Sequence, residues 1–321
     1  MPFLSRLSKG FISPQSLIYF WNETKNNDLV MINLPSFEGI LLALFALVQR
    51  RPLISLLHCE VLLPFSIPNL VINFVLNCGV FFQLALSKKI IIYTEDYYTD
   101  KRMYQLFKNK MEVILPPIHS APPDAIYLKS LVELQKKYTY ALGFCGRIAA
   151  EKGIEVLIES ITEKKDTILF FAGPTGKDVI GEETYFNTIK KLLEIKQIPH
   201  IFLGTLSKGK LSAFYTAIDV LVLPSLNKTE AFGMVQAEAM LQGTPVIASN
   251  LPGVRVPIQL TKMGILVDTH NISSLKNALQ LILHNKQKYS NQGLIHQAIK
   301  IFDSQKTYDS IRAIMHQAIS I

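Results

Sequence analysis

The sequence predicts an α/β protein of two domains, each built on a parallel sheet wound with helices. Three observations predict it. Short strands alternate with amphipathic helices along most of the chain. The strands read as solid apolar runs, the pattern of a sheet covered on both faces. A length of 321 residues exceeds what one hydrophobic core usually organises.

The rhythm is clearest in the second half. "ALGFCGRI", from Ala141, is a short strand, and "EKGIEVLIESI" follows it with Ile154, Leu157, Ile158 and Ile161 on one helical face. "TILFFAG" is the next strand, and the helix after it turns Phe186, Ile189 and Leu193 inward. Then come strand "HIFLG", helix "KLSAFYTAI", strand "DVLVLPS", a helix from Phe232 to Leu241, and strand "TPVIAS". Gly243 with Pro245 behind it ends that helix as a glycine cap followed by proline does. In the first half, "LVMINLP", "PLISLLH" and "KIIIYTED" read as strands with helical sequence between them. The proline-rich "VILPPIHSAPP" marks the boundary. The last segment, "AIKIFDSQKTYDSIRAIMHQAIS", reads as helix able to pack on either domain. The expected division is 1–118, a connector at 119–138, a second domain at 139–300, and a terminal helix at 301–321.

Composition narrows the function. The formal charge is +8, spread without any dense basic block, so no nucleic-acid partner is expected. A diffuse positive balance fits a phosphate-bearing small ligand or an anionic membrane surface. Cys59, Cys78 and Cys145 lack metal-ligand spacing and cannot all pair, which points to a reducing compartment, the cytoplasm. The opening "MPFLSRLSKGFISP" has no continuous apolar core and no small-residue cleavage site, so it is not read as a secretory signal. The most apolar run, "LVINFVLNCGVFFQLAL" at 70–86, is interrupted by Asn73, Asn77 and Gln83. It is shorter than the roughly 20 residues of a spanning helix, and is expected as a buried helix, with peripheral membrane contact as the alternative.

One stretch poses a chemical question. "TEAFGMVQAEAMLQGTPVIAS" places Glu238 on a helix whose only other polar side chain is Gln236. A helix apolar nearly all round belongs in an interior, and an unpaired buried carboxylate is costly. Either an internal cation or a ligand should meet it. In open parallel sheets ligands bind beyond the carboxyl ends of the strands, and three features converge there. Gly146 and Arg147 end one strand, with Lys152 at the start of the next helix. "AGPTG" ends another with small residues. "TEAFGM" turns into the glutamate helix, whose free N–H groups attract a phosphate. Arg147 and Lys152 would hold a diphosphate, and the carboxylates of Glu230 and Glu238 would accept hydrogen bonds from sugar hydroxyls. A nucleotide-sugar satisfies all these groups.

These residues carry a resemblance. "GR…EKG" followed by "TEAFGMVQAEAM.QGTPVIAS..PGVR" looks like the donor domain of retaining family-4, or group 1, glycosyltransferases, which have the GT-B fold of two Rossmann-like doubly wound domains facing a cleft. The resemblance runs from about residue 30 to the end and is densest from 141 to 268. It implies that Arg147 and Lys152 hold the diphosphate of the donor. It further implies that Glu230 contacts the donor sugar, that Glu238 binds the ribose hydroxyls, and that Phe232, Gly233 and Met234 lie near the donor with Gly146. The loop "GTLSKG", from Gly204, resembles the one near the base. "PLISLLHCEVLLP" resembles a family stretch ending in His-x-Asp, which would bring His58 near the reacting sugar. Here Glu60 replaces the aspartate. The catalytic candidates are thus His58 and Glu230, with no catalytic base assigned. The donor is a co-substrate and no further cofactor is implied. No Asp-x-Asp element exists and the remaining histidines lack ligand spacing, so no metal is expected.

A departure is equally plain. Family members open with a strand, a Gly-Gly loop near the donor phosphates and further strand–helix units. This sequence has no Gly-Gly pair and starts where the middle of that domain should be, so the N-terminal domain is expected to be incomplete. The first expected function is transfer of a hexose from a nucleoside-diphosphate sugar to a glycan or lipid-linked acceptor. It would serve cell-surface polysaccharide or glycolipid synthesis, in the cytoplasm and, on the membrane alternative, at its inner face. The second is a catalytically impaired subunit or remnant that binds the nucleotide-sugar alone. A nicotinamide-dependent oxidoreductase lacks the Gly-x-Gly-x-x-Gly turn it needs.

Overall fold

The apolar runs fold as strands of two parallel sheets, in a computed structural model that describes residues 5–7, 10–12, 14–36, 38–61, 66–99, 102–179 and 181–320. The chain divides into two compact units, residues 1–116 with 305–321 and residues 117–304. In the first unit β1 (Ser5–Leu7) and β2 (Gly10–Ile12) pair antiparallel. Residues 1–4, 8, 9 and 13 of the opening lie outside the described residues. After α1 (Pro14–Asn26) come β3 (Val30–Leu34), α2 (Gly39–Val48), β4 (Leu53–Leu57), α3 (Ile67–Leu86), β5 (Lys89–Ile92), the short α4 (Arg102–Gln105) and β6 (Met111–Val113). Strands β3 to β6 lie side by side in chain order, all parallel. Right-handed crossovers that keep advancing in one direction place α2 and α3 on one face of this sheet.

Helix α3 departs from expectation. Ser66 caps its start, its Oγ accepting from the Asn69 N–H at 3.3 Å, with a proline in the first turn where a missing N–H costs nothing. The helix then runs for 20 residues, long and apolar enough to cross a membrane by length and composition. It was expected to be buried, yet only 22% of residues 69–86 is buried. A single four-stranded sheet cannot cover it. Leu76, Val80 and Leu84 reach inward, while Val71, Phe74, Val75 and Phe82 face out. Residues 62–65, ahead of this helix, lie outside the described residues.

The second unit begins with α5 (Ala125–Gln135), capped by Asp124, whose Oδ1 accepts from the Tyr127 N–H at 3.0 Å. The stretch 119–138, expected as a connector, therefore holds a helix, and α5 packs on α8. In order follow β7 (Tyr140–Cys145), α6 (Ile154–Ser160), β8 (Thr167–Ala172), α7 (Glu183–Lys196), β9 (His200–Gly204) and α8 (Lys208–Ala217). Then come β10 (Val220–Leu223), α9 (Met234–Leu241), β11 (Val246–Ser249), α10 (Val256–Thr261), β12 (Gly264–Val267), α11 (Ile272–His284), α12 (Lys286–Tyr289) and α13 (Gln292–Ile301). The six strands are all parallel, ordered β12-β11-β10-β7-β8-β9. Phe144, Phe171, Leu157, Ile189, Val222 and Leu279 form one core between sheet and helices, each contributing about 1.5–3 kcal/mol by burial.

The last helical segment divides at Phe302 and Asp303, and α14 (Ser304–Ile319) closes the chain. Most of α14 belongs to the first unit. Its Ile314 and Ala318 pack with Ile54 and Ile91, so it covers the sheet face opposite α2 and α3.

Candidate functional site

In the second unit the strand order reverses between β7 and β10. That is the switch point where loops leave in opposite directions and open a crevice at the carboxyl edge. The loop after β7 carries Gly146, Arg147 and Lys152, and the loop after β10 carries Glu230, Phe232 and Gly233. A backbone bond from Leu226 N–H to Glu151 O, 2.9 Å, ties the two loops together. The loop after β8 closes in as well. Gly146 N–H donates to Ala172 O at 2.9 Å and Gly173 N–H to Gly204 O at 2.8 Å. Gly173 has φ +135°, and a Cβ there would meet Gly146 O at 2.2 Å. Only glycine lets these two strand ends come so close.

Two ion pairs line the crevice. Lys152 Nζ lies 2.5 Å from Glu230 Oε2, both side chains largely buried. Arg147 lies 2.8 Å from Glu151, four residues on, with the arginine half-exposed. The two carboxylates fix the cations in place and keep the crevice near neutrality. A cation so held can turn part of its hydrogen-bonding capacity to a second anion, since an ammonium has three donors and a guanidinium five.

Helix α9 starts at this crevice because Gly233 takes a left-handed φ of +73°. A Cβ on Gly233 would meet Leu223 Cδ2 and Gln236 Nε2 at 2.6 Å, so the turn is built for glycine. Phe232 is buried and anchors the turn against Phe302, while Met234 is exposed at the helix start. The first-turn amides have no intrahelical partner and bring the positive end of the helix to the crevice. Gln236, wholly buried, donates from Nε2 to Phe232 O (3.1 Å) and Val254 O (2.9 Å), clamping the turn from below.

Glu238 stands one helical turn further along. Its partner is neither Arg nor Lys: Tyr215 donates its hydroxyl to Glu238 Oε2 at 2.7 Å, and the same hydroxyl lies 3.3 Å from Cys145 Sγ. Burial pushes the Glu238 carboxyl up from the ordinary value. The Tyr215 hydrogen bond and the nearby His119 oppose that shift. Burial likewise raises the Cys145 thiol to about 12, so Cys145 is a neutral packing group. One carboxylate oxygen of Glu238 is held by a tyrosine.

His58 belongs to the first unit, at the carboxyl end of β4. Its Nε2 is 2.9 Å from Asn33 Oδ1 and its Nδ1 is 2.6 Å from Tyr93 Oη. Asn33 and Tyr93 stand at the ends of β3 and β5, so the three form one row along the sheet edge. The amide oxygen only accepts, which puts a proton on Nε2 and lets the Tyr93 hydroxyl donate to Nδ1. Burial lowers the His58 pKa, in keeping with a neutral ring. Glu60 donates its N–H to Tyr97 Oη at 3.0 Å.

Sequence reasoning missed Glu151 and Tyr215. Glu151 had a signal, an acid four residues from Arg147, that the sequence reading did not use. Tyr215 lies in "KLSAFYTAI" among core residues, and nothing but the need of a buried hydroxyl for a partner marked it. Among the described residues no cluster of three or more His, Cys, Asp or Glu could hold a metal ion.

Comparison with known proteins gives these features a setting. The family described as glycosyl transferases group 1 matches residues 132–298, just over half of the chain. The D-inositol 3-phosphate glycosyltransferase of Corynebacterium glutamicum is 31% identical over 163 residues, covering 49% of this chain and 38% of the relative. The chain's matches thus span about two fifths of the length of such curated relatives. Among solved structures, Anabaena HepE in complex with UDP-glucose superposes with a TM-score of 0.77 at 18% identity, covering 94% of this chain and 82% of that one. Sucrose-phosphate synthase from Thermosynechococcus elongatus does so at 0.74 and 19%, covering 96% and 78%. At such identities the likeness shows a shared fold, which is GT-B.

Proposed function

Because this chain belongs to the group 1 glycosyl transferases, we propose that it transfers a hexose from a nucleoside-diphosphate sugar to a glycan or lipid-linked acceptor, with retention of configuration. The observation that carries the reading is the crevice at the β7/β10 switch point. Two buttressed cations and a helix N-terminus converge there, with a tyrosine-held carboxylate behind. Arg147, Lys152 and the first amides of α9 would stabilise the charge that develops on the leaving diphosphate. Glu230 would accept from hydroxyls of the donor sugar and Glu238 from those of the ribose, with Gly146, Phe232, Gly233 and Met234 shaping the donor pocket. His58, in the first unit, is nominated for the reacting sugar by the resemblance alone, its two ring nitrogens being engaged by Asn33 and Tyr93. The UDP bound by HepE favours uridine as the base, and the inositol phosphate named for the curated relatives adds a phosphorylated cyclitol to the acceptors worth testing. A metal-independent reaction in the cytoplasm, serving cell-surface polysaccharide or glycolipid synthesis, fits this chemistry.

The test is donor turnover. The chain is incubated with UDP-, GDP- and ADP-hexoses, with D-inositol 3-phosphate or a membrane extract as acceptor, with and without EDTA. Release of one nucleoside diphosphate, unchanged by EDTA and lost in Arg147→Ala, is the expected result. Tight binding without turnover of any donor would instead support a nucleotide-sugar-binding subunit. One observation favours that second reading: the described strands of the first sheet run in unbroken order and form no switch-point crevice.

A further inference from the structure

We infer that the outer face of α2 and α3 docks on an anionic lipid bilayer. The inference rests on the surface of the first unit alone and does not depend on the transferase reading. Between Glu38 and Lys88 the only charged residues are Arg50, Arg51 and Glu60, and residues 61–87 carry none. A helix that merely covers a sheet is polar on its outer side. Here the outer side is apolar: Leu44 and Leu47 on α2, and Val71, Phe74, Val75 and Phe82 on α3, all exposed, with Phe74 at 68%. The two helices pack against each other, so their exposed side chains form one continuous face. Soluble proteins rarely leave an apolar patch of this kind uncovered.

Charge says what covers it. The carboxyl-terminal ends of α2 and α3 meet around one surface groove lined by Arg50, Arg51, Lys88 and Lys110. Arg50 is exposed. Lys110 donates to Ala85 O at 2.7 Å, capping α3, and Lys88 donates to Ala318 O at 2.7 Å, so both ammonium groups are fixed at this rim. Among the described residues the exposed Asp28 lies 3.9 Å from Arg51, and Glu112 beside the rim is paired with Lys89. A second copy of the chain would bring the same apolar face and the same cations, with no carboxylate on α2 or α3 to meet them. A bilayer with anionic headgroups supplies both partners, acyl chains for the helices and phosphates for the rim. Apolar burial beside a cationic border is how interfacial helices bind membranes.

The experiment is flotation of the full chain with vesicles of pure phosphatidylcholine and with vesicles containing phosphatidylglycerol, beside sedimentation to read its oligomeric state. The expected result is a monomer that floats with the anionic vesicles and is released by high salt. Arg50→Gln should weaken partition about fivefold, the effect of one cation at an anionic surface. Phe74→Asp with Val75→Asp should weaken it more than tenfold. Both side chains point outward, so the double variant should melt with the parent. Equal flotation with neutral vesicles would overturn the charge argument. No flotation, or a dimer that the double variant dissociates, would overturn the proposal.

Discussion

Glu238 concentrates the chemistry of the site in one titratable group. Its folded pKa lies above the ordinary 4.5 because burial disfavours the ion. The carboxyl therefore stabilises the fold fully below pH 4.5, and that contribution is lost as pH rises through the raised value. At neutral pH the ion is a liability that a ligand's hydroxyls would relieve. Glu238→Gln, which keeps the Tyr215 hydrogen bond, should raise stability in urea by about 1 kcal/mol at pH 7, the gain closing below pH 4.5, while nucleotide binding weakens. His58 has the opposite sense. Its pKa is lowered from 6.5 by burial, so its contribution is complete above pH 6.5 and fades as pH falls through the lowered value. His58→Gln should flatten the acid side of the stability profile below pH 6.5. That Glu238 needs a partner was legible because a carboxylate on an apolar helix contradicts its surroundings. Tyr215 was not, because a tyrosine among core residues contradicts nothing.

At the level of elements, residues 141–249 were legible because the central strands β7, β8, β10 and β11 are buried almost end to end and read as unbroken apolar runs. The sheet order β12-β11-β10-β7-β8-β9 was not legible, since parallel strands carry no sign of their neighbours. Helix α9 shows how much rests on one turn. Gly233→Ala would put a methyl group at φ +73° against Leu223 and Gln236. The expected cost is about 1–3 kcal/mol, read by denaturant unfolding, together with weaker anion binding as the first amides turn away. Helix α3 was misjudged for a physical reason. Apolar composition predicts burial only where enough protein exists to bury it, and composition cannot say on which side the sheet stops.

On the scale of the whole molecule, the two units carry different signatures. Residues 117–304 hold a sheet with a switch point and a crevice of paired charges. The first unit holds a sheet in chain order, a His58–Tyr93–Asn33 row at its edge and an apolar outer face. The central claim, that the crevice of the second unit is a nucleoside-diphosphate site, is tested most directly by thermal unfolding of the full chain with UDP, GDP and ADP. Arg147→Ala and Glu238→Ala are measured beside it. A nucleotide at one hundred times its dissociation constant should add about 2.7 kcal/mol to the folded state. The expected result is that one nucleotide, UDP, stabilises the parent and neither variant. A parent that melts cooperatively and is shifted by no nucleotide would contradict it.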